Sequence, residues 1–170
     1  MNKKIVFIAD FFAKEVLGGG ELSNDVLISL LRNSNYEVIE INSMRVTPEF
    51  LTKNKEAFYI VSNFCGLHWD FREWLIDNAE YCIYEHDHKY APYPYNPALF
   101  KNFIIPSAEL MNYHFYKSAK RVFCQSAYHK QIVQKNLKMD NIVSIGGNLW
   151  SAESLEKFRE FSKKKKKKSC

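Results

Sequence analysis

The densest group of chemically capable side chains in this sequence is Glu-His-Asp-His at residues 85–88. It follows a short apolar run, Tyr81 to Tyr84, that predicts a buried strand. A histidine at the end of such a strand can hydrogen-bond a substrate hydroxyl or change its charge near neutral pH. Two histidines two residues apart could share a metal ion, but no third histidine or cysteine is near in the sequence. We therefore expect His86 to contact a ligand, with a structural or capping role as the alternative and no bound metal.

A second group combines three glycines with an acid, at Gly18, Gly19, Gly20 and Glu21. The apolar run from Lys4 to Asp10 before it predicts a strand, and apolar residues at helical spacing follow it. Glycine lets backbone N–H groups approach an anion closely, and a helix N-terminus adds unpaired N–H groups and a partial positive charge. The unit is typical of a phosphate-binding loop and, equally, of a flexible turn.

Two nucleotide-binding motifs compete with this interpretation. The first is the dinucleotide fingerprint, in which Gly18 and Gly20 would be the first two glycines and Ser23 would stand at the third small position. Glu40 would be the acid about 20 residues further on. That fingerprint begins directly after its strand, whereas seven residues separate Asp10 from Gly18. A P-loop is excluded because no Gly-Lys-Ser/Thr follows the glycines. A nicotinamide dinucleotide-dependent enzyme stays an alternative.

Strand-like and helix-like runs alternate along the chain. Strands are predicted at residues 4–10, 36–42, 57–62, 81–84, 121–125 and 141–145. Helices are predicted between them, with Thr47, Ser107 and Ser126 as N-terminal caps. Residues 89–106 hold four of the five prolines and predict an irregular segment, whose tyrosines could form a platform for a sugar or peptide. The fold class is therefore α/β, with a doubly wound, mostly parallel Rossmann-like sheet of about six strands and helices on both faces.

Ligands of such a sheet bind at the carboxyl ends of its strands. This rule adds residues that follow predicted strands to the candidates His86 and the glycine loop. As acceptor or cleft residues we predict Asp10, Asn63, Asp87, His88, Ser126 and Asn148.

Length and charge predict one domain with a basic end. We place the domain at residues 1–161 and a lysine-rich, disordered tail at 162–170. Net charge is +5, but six of the 24 basic residues are lysines 163–168, which leaves 18 basic against 19 acidic residues. A nucleic-acid partner is therefore not expected. The tail could make peripheral contact with an anionic membrane, although a solvated tail or an interdomain linker is the commoner meaning of such a run.

Signals for export or membrane insertion are missing from the sequence. No apolar run reaches the ~18 residues that span a bilayer, and Asp10 interrupts the N-terminal apolar run too early for a signal peptide. We therefore expect a cytoplasmic protein without a transmembrane segment. Because Cys65, Cys82 and Cys124 lie in or beside apolar runs without a C-x-x-C pair, they predict buried thiols rather than a zinc site or disulfides.

In this order and spacing, the motifs resemble the N-terminal domain of GT-B glycosyltransferases, particularly the family 4 type that transfers sugars from nucleotide donors. The resemblance covers nearly the whole chain. It rests on the strand and glycine loop of residues 4–21, the strand that ends in His86-Asp87, the run Val122-Phe-Cys-Gln-Ser126 with its helix, and the strand and Gly-Asn turn of residues 141–148.

The resemblance implies a role for each part. This half of such an enzyme mainly binds the acceptor, a carbohydrate or other hydroxyl compound, while its glycine loop approaches the diphosphate of a nucleotide-sugar donor. Gly19 and Gly20 would offer backbone N–H groups to the phosphates, and His86 would orient the donor sugar as the catalytic residue. No metal or other cofactor is required, because helix dipoles and basic groups neutralise the leaving diphosphate.

One part of the family pattern has no counterpart in the sequence. The second Rossmann domain, which holds most of the nucleotide, does not follow residue 148. We therefore expect transfer to need a second polypeptide or domain that supplies this half, and the isolated chain to be inactive or incomplete. The alternatives are a non-catalytic carbohydrate- or partner-binding module and the nicotinamide enzyme.

Overall fold

The computed structural model describes residues 3–163, and its centre is a six-stranded sheet with parallel strands only. The strands are β1 (Lys4–Ala9), β2 (Glu37–Asn42), β3 (Phe58–Val61), β4 (Glu80–Glu85), β5 (Val122–Cys124) and β6 (Ile142–Ser144). The α-helices of the described chain are α1 (Gly19–Asn33), α2 (Pro48–Lys53), α3 (Trp69–Asn78), α4 (Tyr113–Ser118), α5 (Ala127–Leu137) and α6 (Ala152–Lys163). The predicted α/β fold with a doubly wound parallel sheet is confirmed.

The strands lie in the order β2-β1-β3-β4-β5-β6. The chain starts inside the sheet, adds β2 on one side of β1, and returns to the other side for β3 and every later strand. The connections after β1 and β3 therefore lead away from each other. This reversal opens a crevice at the carboxyl ends of the two strands, which is where open α/β sheets bind ligands.

An apolar layer covers each face of the sheet. The larger layer packs α2 to α5 against one face and buries Leu51, Leu75, Tyr116 and Val133 from these helices. On the other face, α1 contributes Ile28 to a smaller layer. The difference follows from topology, because every crossover after β2 runs in one direction along the sheet, and right-handed crossovers then lie on one face.

The prediction of one continuous helix from Ser107 to about Tyr116 is wrong, because the helix is interrupted between these residues. A 3₁₀ turn at Ser107–Glu109 comes first, and α4 begins only at Tyr113. Asn112 between them has φ 54°, in the left-handed region. A right-handed helix cannot pass through that conformation, so the predicted helix is split.

The boundaries of two other helices extend beyond the prediction. α1 begins at Gly19, so two of the glycines belong to its first turn. α6 continues to Lys163, two residues beyond the expected end. The rest of the lysine-rich tail, residues 164–170, lies outside the described residues, and its disorder stays a prediction. None of the helices in residues 3–163 is long and apolar enough to span a membrane.

The three cysteines in residues 3–163 have different environments. Cys82 and Cys124 are buried in β4 and β5, as predicted. Cys65 is exposed, so the prediction of a buried thiol is wrong there. Its position is in the loop after β3, where its backbone N–H donates to the Asp10 carboxylate at 2.9 Å.

Candidate functional site

A cleft of about 490 Å³ opens at the carboxyl edge of the sheet, beyond the ends of β1, β3 and β4. Five predicted residues line it: Asp10, Asn63, His86, Asp87 and His88. A larger groove of about 990 Å³ lies at the opposite edge, where the strands begin, and contains no predicted site residue. We assign the candidate site to the smaller cleft because ligands of parallel sheets bind where the strands end.

Asp10 joins the loops that follow β1, β2 and β3. Its Oδ1 accepts hydrogen bonds from the Ser43 hydroxyl and, at 2.9 Å, from the backbone N–H of Gly66. Its Oδ2 accepts the backbone N–H of Cys65 at 2.9 Å. The carboxylate therefore fixes the shape of the crevice, and this structural role accounts for its position.

The glycine loop forms the start of α1. Gly18 is the N-cap, and the Glu21 carboxylate lies against it, so that a Cβ at Gly18 would come within 2.2 Å of Oε2. A Cβ at Gly20 would lie 3.5 Å from the His86 ring. Around Gly19, no atom of residues 3–163 other than its chain neighbours and the backbone of α1 lies within 4 Å of the corresponding position. The helix N-terminus is therefore open at Gly19 and next to His86 at Gly20.

His86 is partly buried and hydrogen-bonded at both ring nitrogens. The side-chain amide of Gln125 donates to Nδ1 at 2.5 Å, which assigns the ring proton to Nε2. Nε2–H then donates to Oδ1 of Asn24 at 3.1 Å, and the same oxygen accepts from the Ser62 hydroxyl at 2.9 Å. Burial lowers the pKa of His86 to about 4. At neutral pH, His86 is an uncharged ring held between α1 and the end of β5.

Lys89 is a buried cation of the cleft that the sequence analysis did not single out. Its side chain is only 4% exposed, and Nζ donates to Oδ1 of Asn63 at 2.8 Å and to Oδ2 of Asp87 at 2.9 Å. Burial alone would lower its pKa, but the carboxylates of Glu85 and Asp87 outweigh burial and raise the pKa above the ordinary value. Lys89 therefore carries its charge inside the protein.

Glu85 is buried at the end of β4 and has a hydrogen bond at each oxygen. Oε1 accepts the backbone N–H of Asp87 at 2.9 Å, and Oε2 accepts the hydroxyl of Tyr116. Burial and the adjacent Glu85 carboxylate raise the pKa of Tyr116 well above its ordinary value. Tyr116 therefore stays protonated and donates to Glu85. The two hydrogen bonds of Glu85 hold the end of β4 in place beside the cleft.

His88 lies at the far side of the cleft with φ 55°. Its Nδ1 is 2.8 Å from the Tyr90 hydroxyl, and its ring centroid is 4.4 Å from that of His129. Burial, followed by the effect of His129, lowers the pKa of His88 to about 4. Within residues 3–163, no group of three or more histidine, cysteine, aspartate or glutamate side chains is arranged to hold a metal ion.

Two predicted cleft residues do not line the cleft. Ser126 is the N-cap of α5, and its hydroxyl accepts the backbone N–H of His129 at 3.0 Å. Asn148 is exposed beyond β6, at the edge strand of the sheet. Conversely, Gln125 follows β5 at the predicted edge, and its position there was the only signal for its contact with His86.

The acid required by the dinucleotide alternative is engaged elsewhere. Glu40 forms ion pairs with Arg32 at 2.7 Å and Lys14 at 3.4 Å. Nine residues also lie between the end of β1 at Ala9 and the start of α1 at Gly19, so the helix does not follow the strand directly. The geometry therefore does not favour a ribose contact by Glu40.

No family model matches the chain, and a search of curated proteins gives no match. The function below is therefore inferred from the fold and from the geometry of the cleft.

Proposed function

We propose that this chain is the acceptor-side half of a nucleotide-sugar-dependent glycosyltransferase of the GT-B type. In this proposal the cleft beyond β1, β3 and β4 holds a hydroxyl-rich ligand, and a second Rossmann half on another polypeptide or domain holds most of the nucleotide. The observation that carries the proposal is the convergence of polar side chains in one cleft at the reversal of strand order.

Three neighbouring residues have hydrogen-bonding capacity to spare. Within residues 3–163, Oδ1 of Asp87 and Nε2 of His88 have no hydrogen-bond partner, and Lys89 uses two of its three N–H groups. Together they can accept from and donate to adjacent hydroxyls, as a sugar requires. Pro94 and Tyr95 line the same cleft and give an apolar surface for the C–H groups of a sugar ring.

The N-terminus of α1 supports a role for the donor phosphates. In the described chain, the backbone N–H groups of Gly19 and Gly20 have no partner, as expected for a first helical turn. Unpaired N–H groups and the positive end of the helix dipole attract an anion. A diphosphate that approached from a second half would meet them, and the Glu21 carboxylate would then turn away from Gly18.

His86 fits a positioning role in this proposal. Because Gln125 and Asn24 occupy both ring nitrogens, His86 can contact a sugar through its ring edge without transferring a proton. The same observation favours a second candidate function, a carbohydrate-binding module without catalysis. The two functions differ in whether a second Rossmann half produces turnover.

Ligand binding tests the cleft that both functions share. Glucose, N-acetylglucosamine, UDP-glucose and GDP-mannose would be titrated into the full chain and followed by NMR. We expect a saccharide to shift the signals of Asp87 and Lys89, and Asp87→Ala to weaken its binding at least tenfold. Asp70→Ala is the matched control, because its exposed carboxylate lies on α3 outside the cleft. The proposal would be contradicted if Asp87→Ala and Asp70→Ala bound the saccharide with equal affinity, or if none of the four compounds gave a saturable change in the NMR signals.

Turnover distinguishes the two functions. We expect negligible sugar transfer by the isolated chain, and transfer when a separately produced second Rossmann half is added. In that mixture His86→Ala should lower the rate by about a hundredfold, because a displaced sugar no longer meets the acceptor in line. Sugar binding without any transfer would support the binding module, and normal turnover by His86→Ala would show that His86 does not orient the donor.

A further inference from the structure

Arg72 is a half-buried cation on α3, outside the cleft. Its Nη2 donates to the backbone oxygen of Leu67 at 2.6 Å and to that of Phe64 at 3.3 Å. Its guanidinium also lies over the Phe64 ring, with 5.3 Å between Cζ and the ring centroid. Burial lowers the pKa of Arg72, but an arginine keeps its charge in proteins. Arg72 therefore holds the loop after β3, from which Asn63 and Cys65 reach the cleft.

Asn112 joins Arg72 to the backbone of Lys89. Its Oδ1 accepts from Nη1 of Arg72 at 2.6 Å, and its Nδ2 donates to the backbone oxygen of Lys89 at 2.8 Å. The orientation of the amide is fixed, because a guanidinium can only donate and a carbonyl oxygen can only accept. Asn112 is also the N-cap of α4, yet in the described chain its side chain makes no capping hydrogen bond. Although asparagine is a favoured N-cap, the amide is used for the bridge from Arg72 to Lys89 instead.

This bridge spans the same two segments that meet at the charged centre of the cleft. Lys89 follows β4, and its ammonium donates to Asn63, which follows β3. Arg72 holds the β3 side through Phe64, the residue after Asn63, and the β4 side through Asn112. Neither Arg72 nor Asn112 is among the described residues that line the cleft. They would therefore act on a ligand through the residues that they hold.

We propose that Arg72 and Asn112 are positioning residues for saccharide binding, and that they act through Lys89. The inference rests on the proposed function, in which Lys89 and Asp87 bond adjacent hydroxyls of the ligand. The bridge fixes the backbone of Lys89 relative to the loop that carries Asn63, so the buried ammonium keeps its geometry in the cleft. Supporting hydrogen bonds of this kind hold a binding side chain within the narrow range of positions that recognition requires.

Asn112→Asp tests the bond to Lys89 by itself. Aspartate also tolerates the left-handed φ of 54° and accepts from Arg72, but it cannot donate to the Lys89 oxygen. Asn112→Gly is the second variant, because glycine adopts this φ without strain and removes both bonds. Asn78→Asp is the matched control. Asn78 also donates from Nδ2 to a backbone oxygen, that of Trp74 at 2.9 Å, but it lies at the opposite edge of the sheet.

The exchange of the Lys89 ammonium protons with water reports the position of this group without a ligand. Buried, hydrogen-bonded protons exchange slowly, because exchange requires a local opening of the structure. NMR of the full chain at neutral pH should show slow exchange for Lys89 in the wild type and in Asn78→Asp. We expect exchange to be about tenfold faster in Asn112→Asp and Asn112→Gly. Equal exchange rates in Asn112→Asp and the wild type would overturn the proposal.

Ligand affinity shows whether this position of Lys89 matters for binding. The probes are glucose, N-acetylglucosamine, UDP-glucose and GDP-mannose, titrated at a temperature at which every variant is folded. We expect Asn112→Asp and Asn112→Gly to weaken the binding of the saccharide by about tenfold, and Asn78→Asp to retain it.

A bridge that only stabilised the fold would give a different result. Asn112→Asp would then lower the unfolding midpoint and leave the affinity unchanged, and this outcome would overturn the positioning role while the proposed function stood. If the wild type bound none of the four probes, both the proposed function and the positioning role would be wrong.

Discussion

Replacing Lys89 by methionine tests whether the cleft is organised around a buried charge. Methionine keeps the apolar stem of this side chain, which is 4% exposed, and removes the ammonium that donates to Asn63 and Asp87. Buried Glu85 then loses the cation that opposes its charge. Removing one partner of a buried ion pair lowers the free energy of unfolding by about 3–5 kcal/mol. Because the Asp87 side chain is 59% exposed and water relieves part of the loss, we expect about 3 kcal/mol.

Urea unfolding at neutral pH, followed by circular dichroism, measures this loss. Lys120→Met is the matched control, because Lys120 also pairs with an acid, Glu80 at 2.6 Å, but its side chain is 58% exposed. An exposed pair contributes about 0–1 kcal/mol, so this variant should stay close to the wild type. If the two variants differ by less than about 1 kcal/mol, burial does not set the contribution of Lys89, and the reasoning is refuted.

Two more predictions concern the neighbouring residues. The pKa of His86 and of His88 is about 4 in the folded chain, below the unfolded value of 6.5. Stability is therefore fully present above pH 6.5 and falls as the pH is lowered through 4, by up to about 3 kcal/mol for each ring. Urea titrations across this interval should show a shallower fall for His88→Asn than for the wild type, and equal slopes would contradict the assignment. Gly66→Ala should lower the free energy of unfolding by about 2 kcal/mol, because its Cβ would lie 2.8 Å from the Ser43 hydroxyl that bonds Asp10. Gly147→Ala, whose Cβ meets no atom within 4 Å in the described chain, is its control, and equal thermal midpoints would refute the prediction.

Local patterns were sufficient to predict the six strands and the edge of the sheet that carries the candidate site, although they did not predict the break in the helix at Asn112. Apolar runs predicted the strands because parallel strands buried on both faces are apolar along their length. Thr47 and Ser126 each accept the backbone N–H three residues ahead, as the cap pattern predicts. Since parallel strands all end at one edge, the order of elements was enough to bring Asn63 and His86 to the same cleft and Gly20 of the glycine loop next to both of them.

Contacts between distant parts of the chain decided what those residues can do. The partners of His86 are Gln125, 39 residues away, and Asn24, 62 residues away, and they convert a candidate proton carrier into a fixed neutral ring. Burial of Lys89 in the cleft likewise depends on segments far from it in sequence, including Asn63.

The sequence by itself determined the alternation of strands and helices, and with it the edge at which the glycine loop and His86 meet. Only the tertiary structure decided the protonation state of His86, the buried charge of Lys89 and the structural use of Asp10. The physical reason is that periodicity and capping act over a few neighbouring residues, whereas burial and hydrogen-bond pairing depend on how all the elements pack together.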